Sequence, residues 1–235
     1  MTDPHQSAAT HTEVLVWDIG VRLFHWALVT LVIAAIVTVK IGGNAMTYHS
    51  WCGYAILTLV LFRILWGFAG GTHARFASFV PRPYQVIAYL RTLFDREHPA
   101  TLGHNPMGAL SVLAMLAVLL FQAVSGLFVN DDIMFEGPLY TLAGKDWSDK
   151  ITGWHKFNEN IIYLLVAAHL GAIFFYLLHK KENLIKPMIS GVKKVHPKVP
   201  VPVLRHGNPA LAAVLLALSA GVVYAVVNAA KWIGK

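Results

Sequence analysis

Five apolar stretches, each about long enough to cross a lipid bilayer, constrain this chain more than any other feature. A bilayer core about 30 Å thick needs about 20 helical residues to span it. Backbone amides in lipid must find partners within the segment, which a helix provides. The sequence therefore predicts an all-α integral membrane protein. The stretches are approximately Leu23–Ile41, His49–Phe68, Met107–Val129, Ile161–Leu178 (preceded by an amphipathic turn or two from about Lys150) and Ala210–Trp232.

Composition agrees with this class and excludes several others. The chain is 56% hydrophobic and 13% charged, whereas soluble domains carry about 25% charged residues. The net charge of +7 is explained by basic loops on one side of a membrane, so no nucleic-acid partner is expected. A single cysteine, Cys52, rules out a disulfide framework and an iron–sulfur cluster built from this chain alone. Because no C-x-x-C-H motif occurs, a covalently attached c-type haem is excluded.

The distribution of basic residues predicts the orientation. Twelve of the 19 lysines and arginines flank the side that holds the N-terminus, and six flank the other. The positive-inside rule then places the N-terminus in the cytoplasm and, after five spans, the C-terminus in the periplasm of a bacterial inner membrane. A short interfacial helix is expected at Tyr84–Phe94. The predicted divisions are a cytoplasmic segment (1–21), a four-helix core (22–192), a proline- and lysine-rich cytoplasmic linker (193–209) and a fifth transmembrane helix (210–235).

Two histidines near the ends of the fourth span share one face of its helix. His155 and His169 are 14 residues apart, which corresponds to about 1400° of helical rotation and a rise of about 21 Å. The first two spans run in opposite directions and carry His25 near the inner end and His49 near the outer end. The number of residues from each histidine to the outer end of the first span gives a difference in depth between His25 and His49 of roughly 20 Å. Because the two separations agree, we predict the pairs His25/His169 and His49/His155 as axial ligands of two stacked haem irons.

Other residues in the spans fit the same hypothesis. Small residues are expected beside a porphyrin face, and Arg63, deep in the second span, suits a haem propionate. Each has an alternative interpretation: glycines often mark close helix contacts, Arg63 could extend to the cytoplasmic interface, and any one histidine could be an interfacial polar residue. The candidate glycines are Gly53, Gly126, Gly153 and Gly171.

The remaining histidines are expected to have no ligand role. His104 precedes Asn105-Pro106, which predicts a helix N-cap followed by proline at the first helical position. His179 is ten residues beyond His169 and about 80° off its face, so it is expected at the inner interface. The others are expected to be solvated in loops or at the N-terminus: His5, His11, His73, His98, His196 and His206.

Several motifs together resemble the bacterial cytochrome b561 and nickel–iron hydrogenase cytochrome b family. The resemblance covers roughly residues 13 to 192 and implies a four-helix core that holds two b haems, with ligands on the first, second and fourth helices. The ligand positions correspond to the same four histidines, and a quinone/quinol pool is implied as one redox partner. The motifs are Val16-Trp17-Asp18, Arg22-Leu23-Phe24-His25-Trp26, Arg63-Ile64-Leu65-Trp66-Gly67-Phe68, His73-Ala74-Arg75-Phe76, Gly103-His104-Asn105-Pro106-Met107-Gly108, Gly126-Leu127-Phe128 and Glu182-Asn183-Leu184-Ile185-Lys186-Pro187-Met188.

The sequence thus predicts a diheme b-type cytochrome that transfers electrons between quinone and a second partner. That partner could be a soluble acceptor such as a cytochrome c, for which the acidic residues Asp131, Asp132 and Glu136 offer a docking face or merely a solvated loop. The protein could then be a quinol-linked oxidoreductase. One alternative is a membrane-anchor subunit of a hydrogenase or dehydrogenase complex. Another is a transporter or metal permease that uses the histidines.

Overall fold

The computed structural model describes residues 12–95, 101–195 and 204–233. Most of these residues are helical, and five of the helices are long and apolar enough to cross a membrane. In chain order the elements are β1 (Thr12–Leu15), α1 (Ile19–Ile41), α2 (Ala45–Ala69), a 3-10 turn (Thr72–Ala74), α3 (Phe76–Phe79), α4 (Pro83–Arg91), α5 (Pro106–Gly126), α6 (Tyr140–Ala143), α7 (Lys145–Leu178), α8 (Ile185–Ser190), β2 (Val192–Val195) and α9 (Pro209–Ile233).

The five long helices, α1, α2, α5, α7 and α9, correspond to the five predicted spans. Their outer faces leave large apolar side chains uncovered, for example Leu23 (64% exposed) and Leu164 (69%). Uncovered apolar surface of this extent suits contact with lipid. The prediction of a mostly helical membrane protein is confirmed.

Side-chain caps explain where two of these helices begin. Asp18 accepts a hydrogen bond from the Val21 N–H (2.8 Å) and starts α1. Asn105 accepts one from the Gly108 N–H (2.7 Å), and Pro106 occupies the first helical position of α5. Both contacts satisfy amides that have no partner within the helix. The cap predicted at Asn105 is confirmed.

The region between α5 and α7 departs from the sequence prediction. The hydrophobic pattern predicts a third span that reaches Val129, but α5 ends at Gly126. The chain turns there because the Leu139 N–H bonds to the Leu127 carbonyl and the Gly137 N–H bonds to the Val129 carbonyl, both at 2.8 Å. Residues 127–129 therefore belong to the hairpin between α5 and α7.

The N-terminal end of α7 lies about five residues before the expected position. The sequence predicts an amphipathic helical extension from about Lys150, yet α7 begins at Lys145 and runs for 34 residues, or about 51 Å. Its first turns are fixed by Ser148, which is fully buried and donates to the Phe128 carbonyl (2.7 Å). Asn130 in turn donates to the Ser148 hydroxyl (2.6 Å). Helix 145–154 is thus stabilised by buried polar contacts rather than by an apolar stripe.

The helices pack in a definite order that leaves α1 and α7 apart. Close backbone packing joins α1 to α2, α2 to α5, α5 to α7, and α9 to α2. At the outer end, Lys40 at the C-terminal end of α1 forms an ion pair with Glu159 of α7 (2.7 Å). At the inner end, Arg22 and Trp26 donate to the backbone carbonyls of Ile189 (2.6 Å) and Met188 (3.2 Å). These contacts connect the two ends of α1 to the middle of α7 and to α8.

A two-stranded antiparallel sheet is present that the sequence pattern does not predict. β1 pairs with β2, with Thr12 opposite Val195 and Leu15 opposite Val192. The sheet ties the segment before α1 to the segment after α8. Of the predicted divisions, residues 1–11 and 196–203 lie outside the described residues. They include about half of the expected linker, and four of the loop histidines are likewise not described: His5, His11, His98 (in 96–100) and His196.

Candidate haem-binding site

The structure brings the four candidate histidines together in the two expected pairs. The ring centres of His25 and His169 are 6.5 Å apart, and those of His49 and His155 are 6.4 Å apart. Imidazole nitrogen binds a first-row transition metal at about 2.0 Å, so the two ring centres of a bis-histidine site lie roughly 6–6.5 Å apart. Each pair therefore has the separation that one shared iron requires.

The paired histidines of the inner level lie on helices whose backbones are not closely packed against each other. His25 lies on α1 and His169 on α7; Lys40 at the end of α1 pairs with Glu159 in the middle of α7, and no close backbone packing joins the two helices. The buried Nδ1 atom of His25 has no hydrogen-bond partner. A ring with an unused nitrogen in a buried position is suited to coordination or to a partner that a cofactor supplies.

Hydrogen bonds orient both rings of the outer pair. His49 Nδ1 lies 2.9 Å from the Ala35 carbonyl, so this nitrogen is the N–H donor and Nε2 carries the lone pair. His155 Nδ1 lies 3.0 Å from the Ser125 hydroxyl, which itself donates to the Gln122 carbonyl. Histidine ligands are usually fixed in this way by a bond from the other ring nitrogen. His155 Nε2 lies 3.0 Å from Gln122 Nε2, so an iron at this atom would have to displace that amide.

A buried polar network surrounds His155 and is absent from the sequence prediction. Asn158 is 5% exposed and donates to Gln122 Oε1 (2.8 Å) and to the Val118 carbonyl (3.1 Å). Polar side chains at membrane depth are costly unless they have partners. The presence of Gln122 and Ser125 in an otherwise apolar span is the signal that could have revealed part of this network.

The candidate glycines fall into two groups. A Cβ added at Gly53, Gly153 or Gly171 would meet no heavy atom within 4 Å, so these positions border open space. A Cβ at Gly126 would lie 3.2 Å from His155 Cε1. Gly126 therefore allows the His155 ring to approach α5 closely, while the other three leave space of the kind that a flat ring or a lipid chain can occupy.

Arg63 is buried beside two aromatic rings and does not reach the surface. It is 2% exposed, and its Cζ lies 5.5 Å and 5.9 Å from the ring centres of Phe76 and Phe79. Its Nη1 has no hydrogen-bond partner. Cation–π contacts give about 0.5–2 kcal/mol each, less than the several kcal/mol of burying a charge. Arg63 thus does not reach solvent, and an anion beside it would offset the cost of its burial.

Two histidines with no predicted role are partly buried near Arg63. His73, expected to be solvated, has a Nε2 atom that is inaccessible and without a partner, and so has His104 at Nδ1. Burial lowers the pKa of His73. Burial, followed by the nearby charges of Arg63 and His73, lowers the pKa of His104 to about 3. Tertiary packing of the loops, which the sequence pattern does not reveal, places them there.

These features define a class of protein: a helical membrane protein with paired histidines at two depths. Within the described ranges, no group of three or more His, Cys, Asp or Glu side chains is arranged to hold a metal ion. The imidazole pairs and the unpartnered buried nitrogen of His25 fit haem.

Comparison with known proteins gives the family. Residues 16–191 match the model of the prokaryotic cytochrome b561 family, and the chain belongs to this family. Membership implies haem b as a cofactor and a role in membrane electron transport. The chain is also similar to proteins named probable Ni/Fe-hydrogenase B-type cytochrome subunit. It is 26% identical to the one from Azotobacter vinelandii and 24% identical to the one from Rhizobium leguminosarum bv. viciae, in each case covering 80% of this chain and 92% of the relative. No solved structure gives a significant match.

Proposed function

We propose that the protein is a diheme b-type cytochrome that transfers electrons across the bacterial inner membrane between the quinone/quinol pool and a protein partner. The single observation that carries this proposal is the pair of imidazole separations, 6.5 Å and 6.4 Å. They occur at two levels that α7 separates by 14 residues, or about 21 Å. Haem b, when bound, supplies a one-electron iron couple at each level.

The chain's own residues have the task of holding and insulating the two levels. His25 with His169 would hold the inner haem, and His49 with His155 the outer one. Two histidines on each iron would leave no open position, which would favour electron transfer over chemistry at the metal. Between the levels lie buried apolar side chains of one core cluster, including Val60 (0% exposed), Leu116 and Ile162. They exclude water and keep the surroundings of both haems apolar.

The pyridine haemochrome assay tests this proposal on purified full-length protein. We expect a b-type spectrum and two haems per chain. His169→Ala is expected to lower the count to one, and His155→Ala to do the same at the other level. His179→Ala is the matched control, because His179 lies just beyond the same helix and its Nε2 bonds to the Phe94 carbonyl (3.1 Å). Retention of two bis-histidine haems in His169→Ala would contradict the ligand assignment.

A hydrogenase is the protein partner that the comparisons favour. The relatives that cover most of this chain are named as cytochrome subunits of Ni/Fe-hydrogenases, which supports the anchor-subunit function over a soluble cytochrome c partner. Purification of the tagged chain from its native membrane at low detergent tests this. We expect a hydrogenase to co-purify and haem to be reduced by hydrogen. Haem reduction by quinol alone, with no associated subunit, would favour the stand-alone function instead.

The proposed orientation has the N-terminus in the cytoplasm. The basic residues at the inner end, among them Arg22, Lys186 and Lys193, outnumber those at the outer end, as the positive-inside rule requires. Reporter fusions test it: a cytoplasmic reporter is expected to be active at the N-terminus and a periplasmic one at the C-terminus. The metal-permease alternative has no support from a donor cluster in the described part of the chain.

A further inference from the structure

A cationic cluster lies at the inner end of the bundle, outside the histidine pairs. Arg63 and His104 contact the same aromatic ring: the Phe79 ring centre is 5.9 Å from Arg63 Cζ and 4.6 Å from the His104 ring. The Trp17 ring is 4.6 Å from the His104 ring and 6.3 Å from the His73 ring. The second span, the turn after it and the loop before α5 therefore converge on one place.

Three buried nitrogen atoms in this cluster have no hydrogen-bond partner. They are Nη1 of Arg63, Nε2 of His73 and Nδ1 of His104. Buried polar atoms in folded proteins nearly always have a partner, so each exception calls for an explanation. The three unpaired nitrogen atoms lie in one cluster that contains a cation. A single anion with several acceptor oxygens would provide a partner for all three.

The nearby carboxylate does not fill this role. Asp18 is committed to the cap of α1 through the Val21 N–H (2.8 Å) and to the Trp66 indole N–H (3.2 and 3.3 Å). Among the described residues, none of the ion pairs involves Arg63. Arg63 and His73 both act to lower the pKa of His104, after burial itself. The charge of Arg63 is thus only partly compensated, by a longer-range attraction to Asp18.

Helix geometry relates the cluster to the inner histidine pair. Arg63 follows His49 by 14 residues on α2, the same step that separates His155 from His169. It therefore lies on the ligand face of α2, at about the inner level. Asp18 and Trp17, which border the cluster, precede His25 by seven and eight residues, or about 10–12 Å toward the inner end. A carboxylate that extends inward from a haem held by His25 and His169 would meet the cluster.

We propose that His73 and His104 join Arg63 to form a carboxylate-binding site for the propionates of the inner haem. The proposal rests on the haem function proposed above and assigns a role to two histidines for which the sequence pattern predicts none. Haem carries both propionates on one edge, so one cluster can bind the pair. Arg63 supplies a charge-assisted hydrogen bond and the neutral imidazoles supply N–H donors. Gly103 lets the loop approach, because a Cβ there would lie 2.6 Å from His73 Nδ1.

The experiment compares full-length holoprotein variants by resonance Raman spectroscopy and redox titration. We expect the propionate bending mode to shift in both Arg63→Gln and His104→Gln. The midpoint potential of one haem is expected to fall in Arg63→Gln, because loss of the cation favours the ferric form, and to recover in Arg63→Lys. Arg82→Gln is the matched control, since Arg82 is exposed at the N-terminal end of α4. It is expected to change neither quantity.

Three outcomes would overturn the proposal. In one, neither variant moves the propionate mode while both haems are retained. In another, Arg82→Gln lowers the potential as much as Arg63→Gln, which indicates a general charge effect. In the third, the potential follows the concentration of added phosphate and the propionate mode stays unchanged, which indicates a free anion. If Arg63→Gln does not retain the inner haem, His104→Gln, which removes no fixed charge, decides the question. Failure of the proposed haem function can be distinguished from failure of this proposal, because wild-type protein would then show no b-type spectrum.

Discussion

The hydrogen bond between Ser125 and His155 gives a quantitative prediction for the outer haem. The Ser125 hydroxyl donates to the Gln122 carbonyl (3.0 Å) and therefore accepts from His155 Nδ1–H (3.0 Å). Such a bond makes the imidazole a stronger electron donor and stabilises ferric iron. Its net energy is about 0.5–1.5 kcal/mol. We take about 0.5–1 kcal/mol of this hydrogen-bond energy to depend on the oxidation state of the iron. For one electron, about 59 mV corresponds to a tenfold change in the equilibrium constant. Ser125→Ala is therefore expected to raise the midpoint potential of the outer haem by about 20–40 mV.

Spectroelectrochemical titration of the purified protein measures this change. The titration is fitted with two one-electron components, and the component lost in His155→Ala identifies the outer haem. Ser50→Ala is the matched control, because the Ser50 hydroxyl donates to the backbone carbonyls of Met46 and Thr47 and lies next to His49 in sequence. A Ser125→Ala potential that is unchanged or lower would refute the reasoning, and so would an equal rise in Ser50→Ala.

Three further predictions concern stability, packing and pH. Asp18→Ala is expected to lower the free energy of unfolding by about 2–3 kcal/mol, because it removes a helix cap and leaves the buried Trp66 N–H unpaired. Denaturant unfolding in detergent measures this. Glu13→Ala is the control, since Glu13 is exposed, and no comparable loss is expected for it. Gly126→Ala is expected to disturb the electron paramagnetic resonance signal of the outer haem alone, because the added Cβ lies 3.2 Å from His155. Gly221→Ala on α9 is the control: its added Cβ meets nothing within 4 Å, so no signal is expected to change. Hydrogen bonds from the backbone N–H groups of Phe135, Ile133 and Met134 lower the pKa of Asp131. The hairpin stability that they provide is therefore present above the unfolded pKa of about 3.9 and is lost as pH falls through the lower folded value. Amide-exchange protection of residues 133–135 is expected to fall in that pH range, and protection that does not depend on pH would contradict this.

Depth along the membrane normal is the part of the site that can be predicted well from the sequence. The spans must be helical and must alternate in direction, so a residue's depth follows from counting along its helix. This one coordinate is enough to pair His25 with His169 and His49 with His155. The fold brings these rings together, while their role as ligands stays a prediction.

Contacts between segments distant in sequence cannot be predicted in this way. The β1–β2 sheet joins residues 12–15 to residues 192–195, and nothing in either short segment specifies the other. The early start of α7 depends on the buried Ser148 hydroxyl and its acceptor, which hydrophobic periodicity does not register. The burial of His73 and His104 follows from how two loops pack on Trp17. In each case the missing information is tertiary.

A seven-residue step common to α2 and α7 explains how one small bundle forms two similar levels. On α7 one face carries His155, Ile162 and His169, and on α2 one face carries His49, Ile56 and Arg63. Seven residues are within about 20° of two full turns, so each set lies along one line. Ile56 and Ile162 are both buried in the core cluster between the levels.

The two levels differ in charge although their histidine spacing is the same. At the outer level α2 carries a candidate ligand, His49. At the inner level it carries the cation Arg63, and α1 supplies the candidate ligand His25 instead. Because Arg63 offsets the negative charge of the propionates that it is proposed to bind, and so favours ferrous iron, the inner haem is expected to have the higher potential of the two; redox titration of wild-type protein and of His169→Ala, which lacks the inner component, measures this.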